Sequence, residues 1–281
     1  MENVYFDNSA TTKLDEKVLE DMMPYLTEYY GNASSIYKLG RDSRKAVEEA
    51  REKVAKVLNC KPTEIYFTAG GSESDNTAIK GIAHANKNKG NHIITSKIEH
   101  PAILETCKEL EKEGFEVSYI SVDENGQINL EELKNAIRPT TILISVMFAN
   151  NEIGTIEPIK EIGEIAKEHK IYFHTDAVQA VGNLKIDVQE LNIDSLSLSG
   201  HKFYGPKGIG VLYMRTGVNF QKFVAGGHQE RNKRAGTENV PGIVGLASAL
   251  ERAYNTMDEH NKKIKELRDY YEAKVKAKIP Y

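Results

Sequence analysis

The chain has few cysteines. Across 281 residues there are two, Cys60 and Cys107. Two cysteines cannot build a disulfide framework or a zinc site, so the fold must stand on an ordinary core. Long apolar runs are also missing. The most nearly continuous one, Ile142 to Ala149, falls far short of the ~20 residues a membrane helix needs. No charge of one sign dominates, since 37 Lys and Arg face 41 Asp and Glu for a formal net charge of −4. Nucleic acid is therefore excluded as the main partner, because gripping a phosphate backbone takes a basic face. Met1-Glu2-Asn3-Val4 has neither a basic n-region nor an apolar h-region, so no signal peptide is expected. Together these absences point to a reducing cytoplasm. With 40% hydrophobic and 28% charged residues, the composition is that of a globular chain rather than a disordered one. The length suits one large α/β domain or two average domains.

The chain does contain alternating elements. Strands are expected at Glu64–Thr68, His92–Ser96, Phe115–Val122, Thr141–Phe148, Ile171–Thr175, Asp194–Leu198 and Ile209–Met214. Helical periodicity lies between most of them, from Ser72 to about Asn86, after Pro101, and from Ile159 to His169. Ile103, Cys107 and Leu110 form one apolar stripe, and Ile159, Ile162, Ile165 and Ala166 another. Seven strands interleaved with helices predict an α/β sheet covered on both faces. One connection is too short for a parallel crossover. Between Leu198 and Ile209 lie ten residues, Ser199 to Gly208, rich in glycine and holding a proline. A crossover needs a dozen or more, so these two strands should run antiparallel and the sheet should be mixed.

Upstream, Asp42 to Leu58 reads as an amphipathic helix with Val47, Ala50, Val54 and Val57 on one face. Downstream, Val240 to Lys278 is helix-rich, and Ile279-Pro280-Tyr281 carries no closing element. The division expected is a large domain over 13–250 and a partial small domain from 1–12 and 251–281.

Ligands of open α/β sheets bind outside the carboxyl ends of the strands. Those ends are followed by Gly70-Gly71-Ser72, Glu99-His100-Pro101, Asn150-Asn151-Glu152, Asp176-Ala177-Val178-Gln179 and Ser199-Gly200-His201-Lys202. Gly70-Gly71-Ser72 opening a helix suits an anion. The same residues also fit an ordinary turn with Ser72 as N-cap. Asp176 is either a capping residue or a semi-buried carboxylate seeking a cation. Lys202 is either a solvated lysine or an amine nucleophile. His100 could face a flat cofactor or satisfy a turn. Gly205-Pro206-Lys207-Gly208-Ile209-Gly210 has the wrong spacing for a dinucleotide motif and precedes a strand. An anion cradle, a carboxylate, an amine and an imidazole around one cleft match the needs of pyridoxal phosphate. Its phosphate wants a helix N-terminus, its aldehyde a lysine as a Schiff base, and its pyridine nitrogen an aspartate.

Several strings carry a family resemblance: Asn8-Ser9-Ala10-Thr11-Thr12, Tyr30-Gly31-Asn32-Ala33-Ser34-Ser35, Ile98-Glu99-His100-Pro101-Ala102, Asn150 to Thr155, His174-Thr175-Asp176-Ala177-Val178-Gln179, Ser199 to Gly208, and Gly236-Thr237-Glu238-Asn239-Val240. In order, from about Val4 to Leu250, they resemble the NifS/IscS-type cysteine desulfurases of the class V aminotransferase group. The resemblance implies the type I fold of pyridoxal-phosphate transferases. It implies a homodimer that turns L-cysteine into L-alanine and an enzyme persulfide, for iron–sulfur cluster or thio-cofactor assembly, with a sulfur-acceptor or scaffold protein as partner. It makes Lys202 the cofactor-binding and proton-moving residue, with His100 stacking on the ring and helping proton transfer. Asp176 would meet the pyridine nitrogen, and Gln179 and Asn151 the phenolic oxygen side. Gly71, Ser72, Ser199 and His201 would hold the phosphate, and Thr237 would reach the neighbouring subunit's phosphate. No metal is implied.

Three departures stand out. Gly71-Ser72 replaces the family's usual Ala-Thr, and His228 replaces a glycine with no role assigned. Family members run on past this length into a segment with a substrate-binding arginine and the sulfur-accepting cysteine. The chain is accordingly expected to be a truncated, weakly active or inactive form. Cys60 and Cys107 are expected to be structural rather than nucleophilic. Another class V lyase or aminotransferase, or a non-catalytic scaffold subunit, are the alternatives.

Overall fold

The computed structural model describes residues 4–279. Met1 to Asn3, part of the stretch scanned for a leader, and Pro280 and Tyr281 of the unclosed end lie outside the described residues. The elements run in the order α1 (Glu16–Thr27), α2 (Lys38–Leu58), β1 (Ile65–Thr68), α3 (Gly71–Asn86), β2 (His92–Ser96), α4 (Pro101–Lys112) and β3 (Glu116–Ile120). They continue with α5 (Leu130–Ala136), β4 (Thr141–Ser145), α6 (Ile159–Glu168), β5 (Tyr172–Asp176), β6 (Ser195–Ser199) and β7 (Gly210–Met214). After α7 (Gln229–Asn232), a single turn, α8 (Val240–Lys278) ends the described chain.

The seven expected strands form one sheet in the order β1-β7-β6-β5-β4-β2-β3. β6 and β7 are antiparallel, as the short connection requires, and the pairs β2–β3, β2–β4, β4–β5 and β5–β6 are parallel. β1 is antiparallel to β7 in turn, so it points the same way as the five parallel strands. The carboxyl ends of β1, β2, β4, β5 and β6 therefore share one edge.

Two apolar layers sandwich the sheet. On one side the buried stripe Val47, Ala50 and Val54 of α2 packs with Ile159, Ile162 and Ala166 of α6 and Ile243, Leu246 and Leu250 of α8. On the other, Ile79 and Ile82 of α3 meet Ile103, Cys107 and Leu110 of α4. Burying each Val, Ile or Leu among them contributes roughly 1.5–3 kcal/mol, so these helices are held by tertiary contact more than by propensity.

Several expected boundaries shift. The strands at 115–122 and 141–148 stop at Ile120 and Ser145; after Ser145 the chain leaves the sheet and Met147 and Ala149 line the cavity. α2 starts at Lys38 rather than Asp42. Gly40 lies in its first turn, where a Cβ would sit 2.4 Å from the Ser35 carbonyl oxygen. Ser72 is not an N-cap: α3 opens at Gly71 after Gly70, and no side chain caps it. α1, capped by the Asp15 carboxylate on the Lys17 and Val18 N–H groups, and α5, capped by Asn129, were not anticipated.

Candidate active site

A cavity of about 460 Å³ opens at the shared carboxyl edge, a size usual for a small-ligand site. Every strand end singled out in the sequence contributes to it. β1 leads into Gly71 and Ser72, β2 into His100, β4 into Asn151, β5 into Asp176 and Gln179, and β6 into Ser199, His201 and Lys202. Thr237 does not line this cavity; it is exposed on the loop before α8.

One end of the cavity is built for an anion. The uncapped N-terminus of the 16-residue α3 leaves backbone N–H groups and the positive end of the helix dipole free. Gly71 lets backbone approach closely here, since a Cβ would stand 2.7 Å from Val178 Cγ2. Ser199 is buried alongside. His201 bonds the Thr11 hydroxyl through Nδ1 at 3.0 Å. Burial, and then the Lys202 and Lys207 charges, push this imidazole below its ordinary range, so it stays neutral at pH 7.

Lys202 stands in the middle. Its Nζ donates to the Ser9 carbonyl and, at 3.1 Å, to that of Ala10. Gln179 Nε2 donates to the same Ser9 carbonyl at 3.0 Å. Thr12 ties this N-terminal stretch down, its hydroxyl donating to the His201 carbonyl at 2.8 Å and accepting from the Tyr204 N–H at 2.8 Å. Burial lowers the lysine's pKa, while Asp176 and Asp7 pull it back up. More of this half-buried amine is thus in the free, nucleophilic form at neutral pH than of a surface lysine. His100 forms the N-cap of α4, its Nδ1 accepting from the Ala102 N–H at 3.1 Å. In the neutral ring that bond leaves the proton on Nε2. Asn151 lines the rim and donates to the Glu152 carboxylate at 3.0 Å.

The floor is acidic and dry. Asp176 Oδ1 accepts from the Val178 N–H at 2.9 Å. Burial raises its pKa, and the Val178 N–H, His100 and Lys202 hold it down. Asp75 on α3 lies beside it. Burial first and the Asp176 charge second drive Asp75 well above the usual carboxylate range. Glu99 accepts from the Ser96 hydroxyl at 2.6 Å and the Met147 N–H at 2.9 Å, and burial pushes it up to about 8. His174 is wedged between the Ser145 and Ser197 hydroxyls at 2.9 and 3.1 Å, and burial takes it down to about 3.

Sequence reasoning missed Asp75, the buried state of Glu99, and the Ser9 and Ala10 carbonyls. Asp75 did leave a signal. It falls on the stripe Asp75, Ala78, Ile79 and Ile82, an acid where the helical period calls for an apolar residue.

The expected group fits these residues. Pyridoxal phosphate needs an anion cradle, an amine, and a carboxylate for its ring nitrogen. The uncapped helix, the space reserved by Gly71, the Lys202 amine and buried Asp176 provide them. Cys60 and Cys107 lie outside the cavity lining. Burial pushes both thiols up to about 12, as structural cysteines require. Among the described residues no cluster of His, Cys, Asp and Glu could hold a metal ion, and no helix is long and apolar enough to cross a membrane.

Comparison with known proteins gives the chain's family and fold. The class V aminotransferase family model matches residues 4–279. The cysteine desulfurase IscS of Clostridium botulinum (strain Hall) is 60% identical over 277 residues, 99% of this chain and 70% of that protein. The IscS of Methanosarcina thermophila is 62% identical over 266 residues, 95% of this chain and 66% of its own length. Among solved structures, a NifS-like protein superposes with a TM-score of 0.94 at 45% identity, covering 96% of this chain and 74% of that one. A structure described as SspA in complex with cysteine gives 0.87 at 44% identity, covering 94% and 78%. The mixed sheet, the order of its strands and the family match across all of the described residues lead to one assignment: the chain belongs to the class V aminotransferase family.

Proposed function

We propose that the chain is a pyridoxal-phosphate-dependent cysteine desulfurase, taking sulfur from L-cysteine and leaving L-alanine. The observation that carries this reading is the convergence of Lys202, Asp176, His100 and an uncapped helix N-terminus on one cavity, in a chain 60% identical to a cysteine desulfurase.

The cofactor, when bound, supplies an electron sink for the charge left at the substrate Cα after proton removal. The chain's own residues do the rest. The N–H groups at Gly71 and Ser72, with Ser199 and His201, would hold the phosphate. Asp176, kept dry beneath the cavity, would hold the ring-nitrogen proton. Gln179 and Asn151 would face the phenolic oxygen side. Lys202 would anchor the aldehyde and, once released by substrate, move the Cα proton. His100, pinned at Nδ1, offers Nε2–H for proton transfer beside the ring.

The sulfur balance needs a thiol. L-Cysteine and a thiol give L-alanine and a persulfide: the thiol sulfur bonds the substrate sulfur, the Cβ–S bond breaks, and Cβ keeps that electron pair and takes up the proton the thiol gives up. With both thiols near 12, neither Cys60 nor Cys107 is that acceptor. The acceptor is then a thiol outside these 281 residues. We further propose a cytoplasmic homodimer, in which Thr237 of one protomer reaches its partner's cavity. The exposure of Thr237, and of Phe6 and Ile36 at 89% each, supports a contact surface.

The test is to load the protein with cofactor and supply L-cysteine with dithiothreitol. Slow alanine and sulfide release that Lys202→Ala abolishes is the expected outcome. Keto-acid exchange without alanine would point to another class V activity. Persulfide building up on Cys60 or Cys107 during rapid turnover would contradict the assignment of the acceptor.

A further inference from the structure

Asp75 is 1% exposed, yet it has no cationic partner. Its Oδ1 lies 3.7 Å from His174 Nε2, but that imidazole is neutral and already engaged at both nitrogens by Ser145 and Ser197. Oδ1 accepts no hydrogen bond. A bare carboxylate in that position would have lost its water with only the Ser197 hydroxyl, and no cation, in return. A protonated carboxyl avoids the loss and gains a donor.

The acceptor for that donor is set by the fold. His174 and Asp176 are two apart on β5 and project from the same face of the sheet. α3 packs over that face and brings Asp75 against His174, and Asp75 and Asp176 line the same cavity. The other groups facing Asp75 are Glu99 beyond β2 and the Ser197 hydroxyl on β6. Asp176 is the member of the pair with compensation for negative charge: the Val178 N–H, Lys202 and His100.

We propose that Asp75 is a neutral carboxyl that shares its proton with Asp176, and that this donation keeps Asp176 an anion able to hold a cofactor's ring nitrogen. Asp75 is thus a positioning residue that acts through Asp176. A neutral donor explains why a helix otherwise apolar on this face carries an acid, and why that acid reaches the cavity floor without a cation.

The inference rests on the pyridoxal phosphate reading for its consequence, though not for the proton itself. Asn supplies a neutral donor of the same shape, whereas Ala supplies none. Cofactor dissociation constants should stay within about threefold of wild type for Asp75→Asn and rise at least tenfold for Asp75→Ala. An Asn variant as weakened as the Ala variant would mean that Asp75 works as an anion, and would overturn the proposal. A second readout needs neither cofactor nor the Ala variant to fold. The infrared spectrum of the cofactor-free protein at pH 8 should contain a protonated-carboxyl C=O band that shifts in D2O and is missing from Asp75→Asn. Identical carboxyl regions in the two spectra would refute the neutral state. Failure of wild type to bind pyridoxal phosphate, with the band present, would count against the functional reading alone.

Discussion

Glu99 offers a quantitative test of how dry the cavity floor is. Its Oε1 takes hydrogen bonds from Ser96 and Met147, and its Oε2 touches no donor. Burial raises its pKa to about 8. The folded state therefore holds a proton that the unfolded chain releases above the ordinary glutamate value of about 4.3. Stability from this group is complete below that value and is lost as pH rises towards 8. Each pH unit in the window costs about 1.4 kcal/mol, so going from pH 6 to pH 8 should cost about 2–3 kcal/mol through Glu99 alone. Glu99→Gln can place its carbonyl at Oε1 and its amide at Oε2, imitating the protonated acid without titrating. Urea unfolding of both proteins at pH 6, 7 and 8 isolates the effect, because Asp75, Asp176 and Glu157 titrate in each. The variant should gain about 2–3 kcal/mol on wild type between pH 6 and pH 8. A difference that stays constant across that range would mean Glu99 is ionised in the fold, and the account of a dry floor would fail.

Other consequences follow from the same structure. His174, held near 3 by burial, leaves the unfolded chain to take up a proton below about 6.5, so wild type should lose up to about 1.4 kcal/mol per pH unit between pH 6.5 and pH 4 that His174→Gln does not lose, read from urea midpoints. Arg51 and Glu230, 3% and 2% exposed, form a two-pronged ion pair at 2.8 and 2.9 Å. Removing one partner with Glu230→Ala should cost about 3–5 kcal/mol by the same unfolding measurement. Gly71→Ala places a methyl against Val178 Cγ2. It should weaken cofactor binding, and Val178→Ala should restore it, giving a non-additive cycle in the dissociation constants. Cys107, buried with its thiol near 12, should resist iodoacetamide at pH 8 in the folded protein and react fully in urea.

The sheet was legible because each strand is a short apolar run closed by glycine or polar residues. β7 could be oriented because a ten-residue connection is too short for a helix. Gly71, His100, Asp176, Gln179 and Lys202 follow strand ends in the sequence, so a rule about strand ends found them together. Asp75 follows no strand directly. It becomes part of the site only when α3 folds back over β5, a contact set by packing rather than local pattern. The Ser9 and Ala10 carbonyls on Lys202 were also hidden, since they come from backbone more than 190 residues away in sequence. α1 escaped notice because Leu19, Met23 and Leu26 stay exposed and Pro24 sits inside the helix, which blurs the apolar stripe that marks α2 and α6.

Lys202 as the residue that binds the cofactor is the claim on which the function stands. Borohydride treatment of the protein incubated with pyridoxal phosphate, followed by peptide mapping, tests it directly. The account predicts a stable pyridoxyl adduct on the peptide containing Lys202 and on no other lysine. A tag on another side chain, or no tag with the protein folded, would contradict it.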